Sequence, residues 1–275
     1  MRVAYYPTDI LIRQHVKYIS FYKPTDEPQR FMVFPNPGAA ITLYKNHSYH
    51  LTTDNVYCTY PTPGHDSVML QVNRIDPVKV VDVVRGVVVT IVFHPLGVSH
   101  FLPLTVRQIV TNNKGDQSFI PLTGLWLDGF AESVFEMASE EDALRKIEDG
   151  LLAKFKQLDI PYVEEALSLL TNPDKLFSIS EICRHIGTSP RNLARLFNRH
   201  ICLSPQEFRN IYQFRYSFEK NINQGQHRSF KDIVYESRYS HSSHMVRMYK
   251  KYTGLNPSSF FSQVAVEANY AYVPI

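Results

Sequence analysis

Cysteine is scarce. The chain has three in 275 residues, Cys58, Cys183 and Cys202. So few, and an odd number, exclude a disulfide framework and fit a reducing compartment. The spacings Cys183-x-His185 and His200-x-Cys202 do not make a zinc site, because residues two apart on a helix point to different sides. Histidines 47, 50, 65, 94 and 100 show no pair two apart followed by a spaced glutamate, so no metal is expected. No apolar run is long enough to span a bilayer, and the opening MRVAYYPTDILIRQ carries charges where a signal peptide has an apolar core. No membrane association is expected, and the chain is assigned to the cytoplasm. No nucleophile–base pair, glycine-rich phosphate loop or metal-ligand spacing is present, so neither an enzyme nor a cofactor is indicated.

Charge of one sign is also lacking overall, the formal net charge being +3, but it is unevenly spread. Residues 160–275 hold 14 Lys and Arg against 9 Asp and Glu, whereas the remainder holds 15 against 17. With 44% hydrophobic and 20% charged residues the chain is globular, and its length suits two domains.

The basic half contains one unit written twice. SISEICRHIGTSPRNLARLFNRHICLSPQEF begins at Ser178, and SFKDIVYESRYSHSSHMVRMYKKYTGLNPSSF at Ser229. Ser178 aligns with Ser229, Ile182 with Ile233, Arg195 with Arg247, Phe197 with Tyr249, Pro205 with Pro257 and Phe208 with Phe260. A repeat of this period indicates a repeated supersecondary unit.

Each copy reads as helix, tight turn, helix, over about 178–200 and 229–252. Ser178 and Glu181 form a capping box. Ile179, Ile182, Cys183 and Ile186 make an apolar stripe, and Gly187 suits the left-handed residue that ends a helix. Ser189-Pro190 starts the second helix. Leu193, Leu196 and Phe197 then face inward, and Arg191, Asn192, Arg195, Asn198 and Arg199 face out. In the second copy Ser229 and Asp232 make the cap, Ile233 and Val234 face the core, and Met245, Met248, Tyr249 and Tyr252 anchor the second helix. Its outward face carries Ser242, Ser243, His244, Arg247 and Lys250. A DNA major groove, about 12 Å wide, admits one α-helix, and arginine binds guanine O6 and N7 bidentately. A single unit with solvated charges reads as a small helical bundle. Two in tandem, with the arginine at the same place, favour DNA.

These residues resemble the AraC/XylS family of transcription regulators over about 160–262. The resemblance is carried by Ser189, Leu193, Arg195-Leu196-Phe197, Ser204-Pro205, Phe208 and Arg215, then by Ile233, Ser243-His244, Arg247, Tyr249 to Gly254, Pro257 and Phe260. It implies an all-α domain whose two second helices enter adjacent major-groove segments of double-stranded DNA. The groove-facing residues it implies are Arg191, Ala194 and Arg195, then Ser243, His244 and Arg247. With them Asn192, Arg199, Lys250 and Lys251 are assigned to DNA, and Arg215 to structure. The chain departs from the family pattern at Cys202, where glycine is usual, and at Arg238-Tyr239, Val234 and Met245. A non-glycine residue in a left-handed position costs on the order of 1 kcal/mol. The departures leave open a regulator in which only the first unit binds DNA.

Residues 1–120 read as short β-rich runs between turns: Arg30–Phe34, Ala39–Tyr44, Val56–Tyr60, Ser67–Val72 and GVVVTIVF at Gly86–Phe93. This spacing predicts an antiparallel sandwich or barrel. Relatives in the family often begin with a β-rich, cupin-like sensor, so a partly open barrel is expected. Its many aromatics are read first as core and second as the lining of an effector pocket, and His94 as a satisfied residue at the barrel end. Helical periodicity takes over at about 121–158. Gly124–Ala138 is apolar, and a second helix begins at Ser139 with Leu144, Ile147, Leu151 and Phe155 on one face. That face is expected to pack on the chain's own barrel, ahead of a homodimer contact.

The fold class is therefore α+β. A β-rich, cupin-like domain with linking helices is expected over 1–159 and a tandem helix-turn-helix domain over 160–275, joined at Leu158–Pro161. The expected activity is sequence-specific DNA binding in transcription regulation, with a small-molecule effector, a homodimer and, for an activator, RNA polymerase as further partners. The alternative is a cupin-like small-molecule- or metal-binding protein whose helices are a scaffold.

Overall fold

A computed structural model describes residues 2–22, 29–51, 56–72, 78–82, 87–113, 119–123, 125, 127, 129–172, 174–223, 234, 239, 241–267 and 270–274. In chain order the N-terminal part has β1 (Arg2–Tyr5), α1 (Ile10–His15), β2 (Val16–Tyr22), β3 (Gln29–Val33), β4 (Ala40–Tyr44), β5 (His47–Leu51), β6 (Val56–Pro61), β7 (Ser67–Gln71), β8 (Val78–Asp82) and β9 (Val88–Phe93). A 3-10 turn (Gly97–His100), α2 (Val106–Asn112), β10 (Phe119–Pro121), α3 (Phe130–Phe135) and α4 (Glu140–Lys154) follow. The helical part has α5 (Pro161–Leu170), α6 (Ile179–His185), α7 (Pro190–Ile201), α8 (Pro205–Asn223), α9 (Ser242–Thr253) and α10 (Pro257–Gln263), and ends in β11 (Ala265–Glu267) and β12 (Tyr270–Pro274). Among the described residues no helix is long and apolar enough to cross a membrane.

The strands form two sheets, ordered β1-β2-β9-β4-β7-β10 and β11-β12-β3-β8-β6-β5. The first is antiparallel throughout. The second departs from the expected antiparallel pattern, because β6 pairs with β8 in parallel. A side-chain period of two splits the first sheet into two faces. Ile19 and Phe21, Ile41 and Leu43, and Val89 and Ile91 pack against the helices. Tyr22, Tyr44, Met69 and Val88 turn the other way, toward Phe31 and Val80 of the second sheet. With both faces covered, β9 is buried at every position. This is why its sequence is a continuous β-branched run rather than an alternation.

Ser139 caps α4, accepting from Asp142 N at 3.1 Å. Ile147 and Leu151 of α4 are fully buried on the first sheet's helical face, so the helix packs on its own domain as expected. Among the described residues of the expected helical stretch 124–138, only Phe130–Phe135 form an α-helix. Glu148 of α4 is buried, accepting from Thr8 N (2.8 Å), Thr8 Oγ1 (2.9 Å) and Asp9 N (3.0 Å), and so fixes the start of α1. The connector after α4 is also docked. Lys156 N donates to His100 O at 2.8 Å, and Phe155 stacks on the His100 ring. His94 stands just beyond β9 and is exposed rather than enclosed in the barrel end.

His15 packs against His100 with the rings tilted, centroids 4.0 Å apart. Burial, then the neighbouring His100 and His94, lower the His15 pKa to about 4. Burial also lowers His100 and His200. The unfolded chain therefore takes up these protons first, at the ordinary histidine pKa of about 6.5. Stability should be fully present above that pH and fall as acid is added toward pH 4. Urea midpoints measured from pH 7.5 downward should decline through this window. A flat profile would contradict the buried neutral imidazoles.

Candidate nucleic-acid interface

Local rules position the first unit. Ser178 Oγ accepts from Glu181 N at 3.1 Å, and Glu181 Oε2 accepts from Ser178 N at 2.7 Å. Ile182 and Cys183 bury one side of α6, while His185 points out to Glu165 at 3.1 Å. The two residues face apart, as their spacing demands. Gly187 is left-handed (φ 69°). Ser189 then caps α7 by accepting from Asn192 N at 3.1 Å, with Pro190 as first residue. Leu193 and Phe197 are fully buried. Burying such side chains contributes about 1.5–3 kcal/mol each, enough to fix which face of α7 points outward.

The helix ends on Cys202, which is left-handed (φ 59°). The strain has a structural return. Cys202 packs against the apolar core of the β-rich part, and burial pushes its thiol up to about 11. Beside it Ser99 Oγ donates to His200 O at 3.3 Å. Glycine would relieve the backbone and lose this contact.

Ser204 and Glu207 cap α8, the helix between the units. Arg215 of α8 donates through Nε to Pro35 O (2.6 Å) and through Nη2 to Phe34 O (2.7 Å), and lies over the Phe34 ring. It is structural, as the resemblance implies, and its bonds cross to the β-rich part. The first helix of the second unit, with Ser229, Asp232, Ile233 and Arg238, lies outside the described residues. Val234 packs against the helical core, and Tyr239 is buried. In α9 Met245, Met248, Tyr249 and Tyr252 are all buried, as expected. Gly254 ends it with φ 72°, the counterpart of Cys202. Asn256 caps α10, and Phe260 is fully buried.

On α7, Arg191, Arg195 and Arg199 are exposed, whereas Asn192 and Ala194 are half-buried. Asn192 does not simply face outward. Its Oδ1 accepts from Arg195 Nη2 at 2.8 Å, and its Nδ2 donates to Thr188 Oγ1 at 2.8 Å. Thr188 was not singled out from the sequence, since nothing in the motif marks it. On α9, Ser243, Arg247, Lys250 and Lys251 are exposed. His244 is half-buried, edge-on to Tyr239 with ring centroids 5.3 Å apart, so it is less outward than its spacing suggests. Burial, then Arg247 and His241, lower its pKa, which keeps the imidazole neutral near pH 7.

A second site lies between the sheets. A cavity of about 140 Å³ is lined by Tyr18, Tyr22, Phe31, Tyr44 and Thr90, with Arg2, Lys17, Arg215 and Glu219 among its polar lining. Some of the aromatics thus line a pocket, while Phe21 and Phe93 fill the core on the helical side. Arg2, Lys17 and Glu219 carry no local sequence signal for this role.

Residues 182–263 match a family model described as a helix-turn-helix domain. The chain is a DNA-binding transcription regulator. It is similar to solved structures of ToxT from Vibrio cholerae. One has 12% sequence identity, with 89% of this chain and 97% of that chain covered at a TM-score of 0.49. Another, bound to an unsaturated fatty acid, has 14% identity, with 87% and 94% covered at 0.45. No curated protein matches the chain.

Proposed function

We propose that this regulator, working in the cytoplasm, lays α7 and α9 in adjacent major-groove segments on one face of double-stranded DNA. The observation that carries this reading is the pair of exposed arginines, Arg195 and Arg247, each at the same place in a helix whose inner face is buried. In this reading Arg195 and Arg247 read bases. Arg191, Ala194, Ser243 and His244 line the groove surface, and Arg199, Lys250 and Lys251 contact phosphates. Asn192 holds Arg195 in place. Residues 1–159 are the sensor domain and 160–275 the DNA-binding domain.

The effector in this reading is a small molecule held between the sheets. Among the described lining residues, three cations stand against one carboxylate, which favours a ligand with an anionic group, and the tyrosines and Phe31 favour an apolar body. The volume is close to that of a cavity known to hold one benzene ring, about 150 Å³. A homodimer, and RNA polymerase at an activated promoter, are the further partners of such a regulator.

The test is a footprint of the full chain on DNA upstream of its own gene and its neighbours, at low and moderate salt. Protection of two adjacent major-groove segments on one face is expected, weakening as salt rises. Protection of one segment would instead favour a regulator that uses α7 alone, the reading to which His244 leaning on Tyr239 points.

A further inference from the structure

The last residues of the chain are not a loose end of the helical part. β12 pairs antiparallel with β3, placing Val273 opposite Met32 and Pro274 opposite Phe31. On its other side β12 pairs with β11. The C-terminal hairpin is thus added to a sheet whose other strands come from residues 29–82. Val273 is fully buried and Ala271 nearly so, both in the core that contains Phe34, Tyr249 and Phe260. Tyr272 instead meets Phe31, ring centroids 5.6 Å apart. Phe31 and Ala271 also line the cavity between the sheets. One short strand therefore touches the sensor sheet, the core under the second helix-turn-helix unit, and the cavity.

We propose that this hairpin is a releasable strap. Paired with β3 it fastens the second unit to the sensor, and its detachment lets that unit settle on DNA. The proposal rests on the reading that α9 binds DNA. Among the described residues two ladder positions join β12 to β3, and elements with few pairings open most easily. The neighbouring tie runs through the same point, because Arg215 holds the carbonyls of Phe34 and Pro35 immediately after β3. Two units reading one face of DNA must match a helical turn of about 34 Å. A unit fastened to the sensor is not free to adjust to that spacing. A ligand against Phe31 and Ala271 acts on the strap directly.

The test uses the full chain with Met32→Cys and Val273→Cys in a Cys58→Ser background, since Cys183 is buried and burial keeps the Cys202 thiol protonated at neutral pH. Oxidation should join the two new cysteines. The joined form should bind the footprinted DNA about tenfold more weakly than the same protein after reduction, within the usual range for coupled sites. Val273→Asp, which puts a carboxylate into a fully buried position, should act in the opposite direction and tighten binding. Failure of the cross-link to form would remove β12 from β3, and equal or tighter binding in the joined form would overturn the strap. A second readout needs no DNA. Tryptic cleavage in the 155–160 connector should slow in the joined form and quicken in Val273→Asp. Unchanged cleavage overturns the strap even if no form binds DNA, an outcome that would separately sink the proposed function.

Discussion

Replacing Phe260 by alanine should destabilise the protein by about 3–5 kcal/mol, the usual cost of emptying a large aromatic site. Phe260 is fully buried. Its ring meets Phe34 at 5.2 Å, Tyr249 at 5.3 Å, Phe218 at 5.9 Å and Phe214 at 6.0 Å, centroid to centroid. These partners come from the exit of β3, from α9 and from α8. One ring thus supports the buried face of the second recognition helix and its contact with the β-rich part. Chemical denaturation should show the loss, and DNA affinity should fall with it because Tyr249 sets the pose of Arg247. The repeat partner Phe208 provides the control. Among the described residues its ring packs on Phe197 and Tyr212, both in the helical part. Phe208→Ala should therefore destabilise the first unit and leave the contact with the β-rich part in place. A Phe260→Ala loss below about 1 kcal/mol would mean that the surrounding rings collapse into the space.

The helical part was legible because its rules are local. Ser178 with Glu181, Ser189 with Pro190 and the left-handed positions 187, 202 and 254 lie within a few residues of the helices they start or stop. The β-rich part was legible where short apolar runs lie between turn residues, as in β3, β4, β6, β7 and β9. β2 is buried at six of its seven positions, so it shows no alternation, and α1 has six residues, too few for a helical period to register. β12 shows in the sequence only as an aromatic, apolar stretch, because its partner β3 lies some 240 residues earlier and a strand's pairing is not written in its own residues. The same distance hid the carbonyl partners of Arg215 at Phe34 and Pro35. The cavity was hidden for a related reason. Period two separates the faces of β2, β4 and β9, but which face meets helices and which meets a second sheet depends on strands far away in sequence.

Arg195→Ala should cost about 1–3 kcal/mol in binding to the specific site and relax the preference at one base pair, because a bidentate arginine–guanine pair is worth that much against the wrong base. The structure gives a reason for this residue rather than its neighbours. Arg195 is exposed, and one arm of its guanidinium is held by Asn192 Oδ1 at 2.8 Å, while Asn192 is itself held by its bond to Thr188. A pre-set guanidinium loses less freedom when its remaining donors meet a base edge. Lysine at the same place supplies charge without the fork, so Arg195→Lys should restore affinity for all DNA and little of the base preference. Lys251→Ala should behave differently, weakening every sequence alike and reducing the salt slope by about one. Competition assays with single-base-pair variants of the footprinted site separate the two patterns. If Arg195→Ala weakened specific and non-specific DNA equally, its contact would be to phosphate, and base reading by the first unit would fall to Arg191 and Ala194.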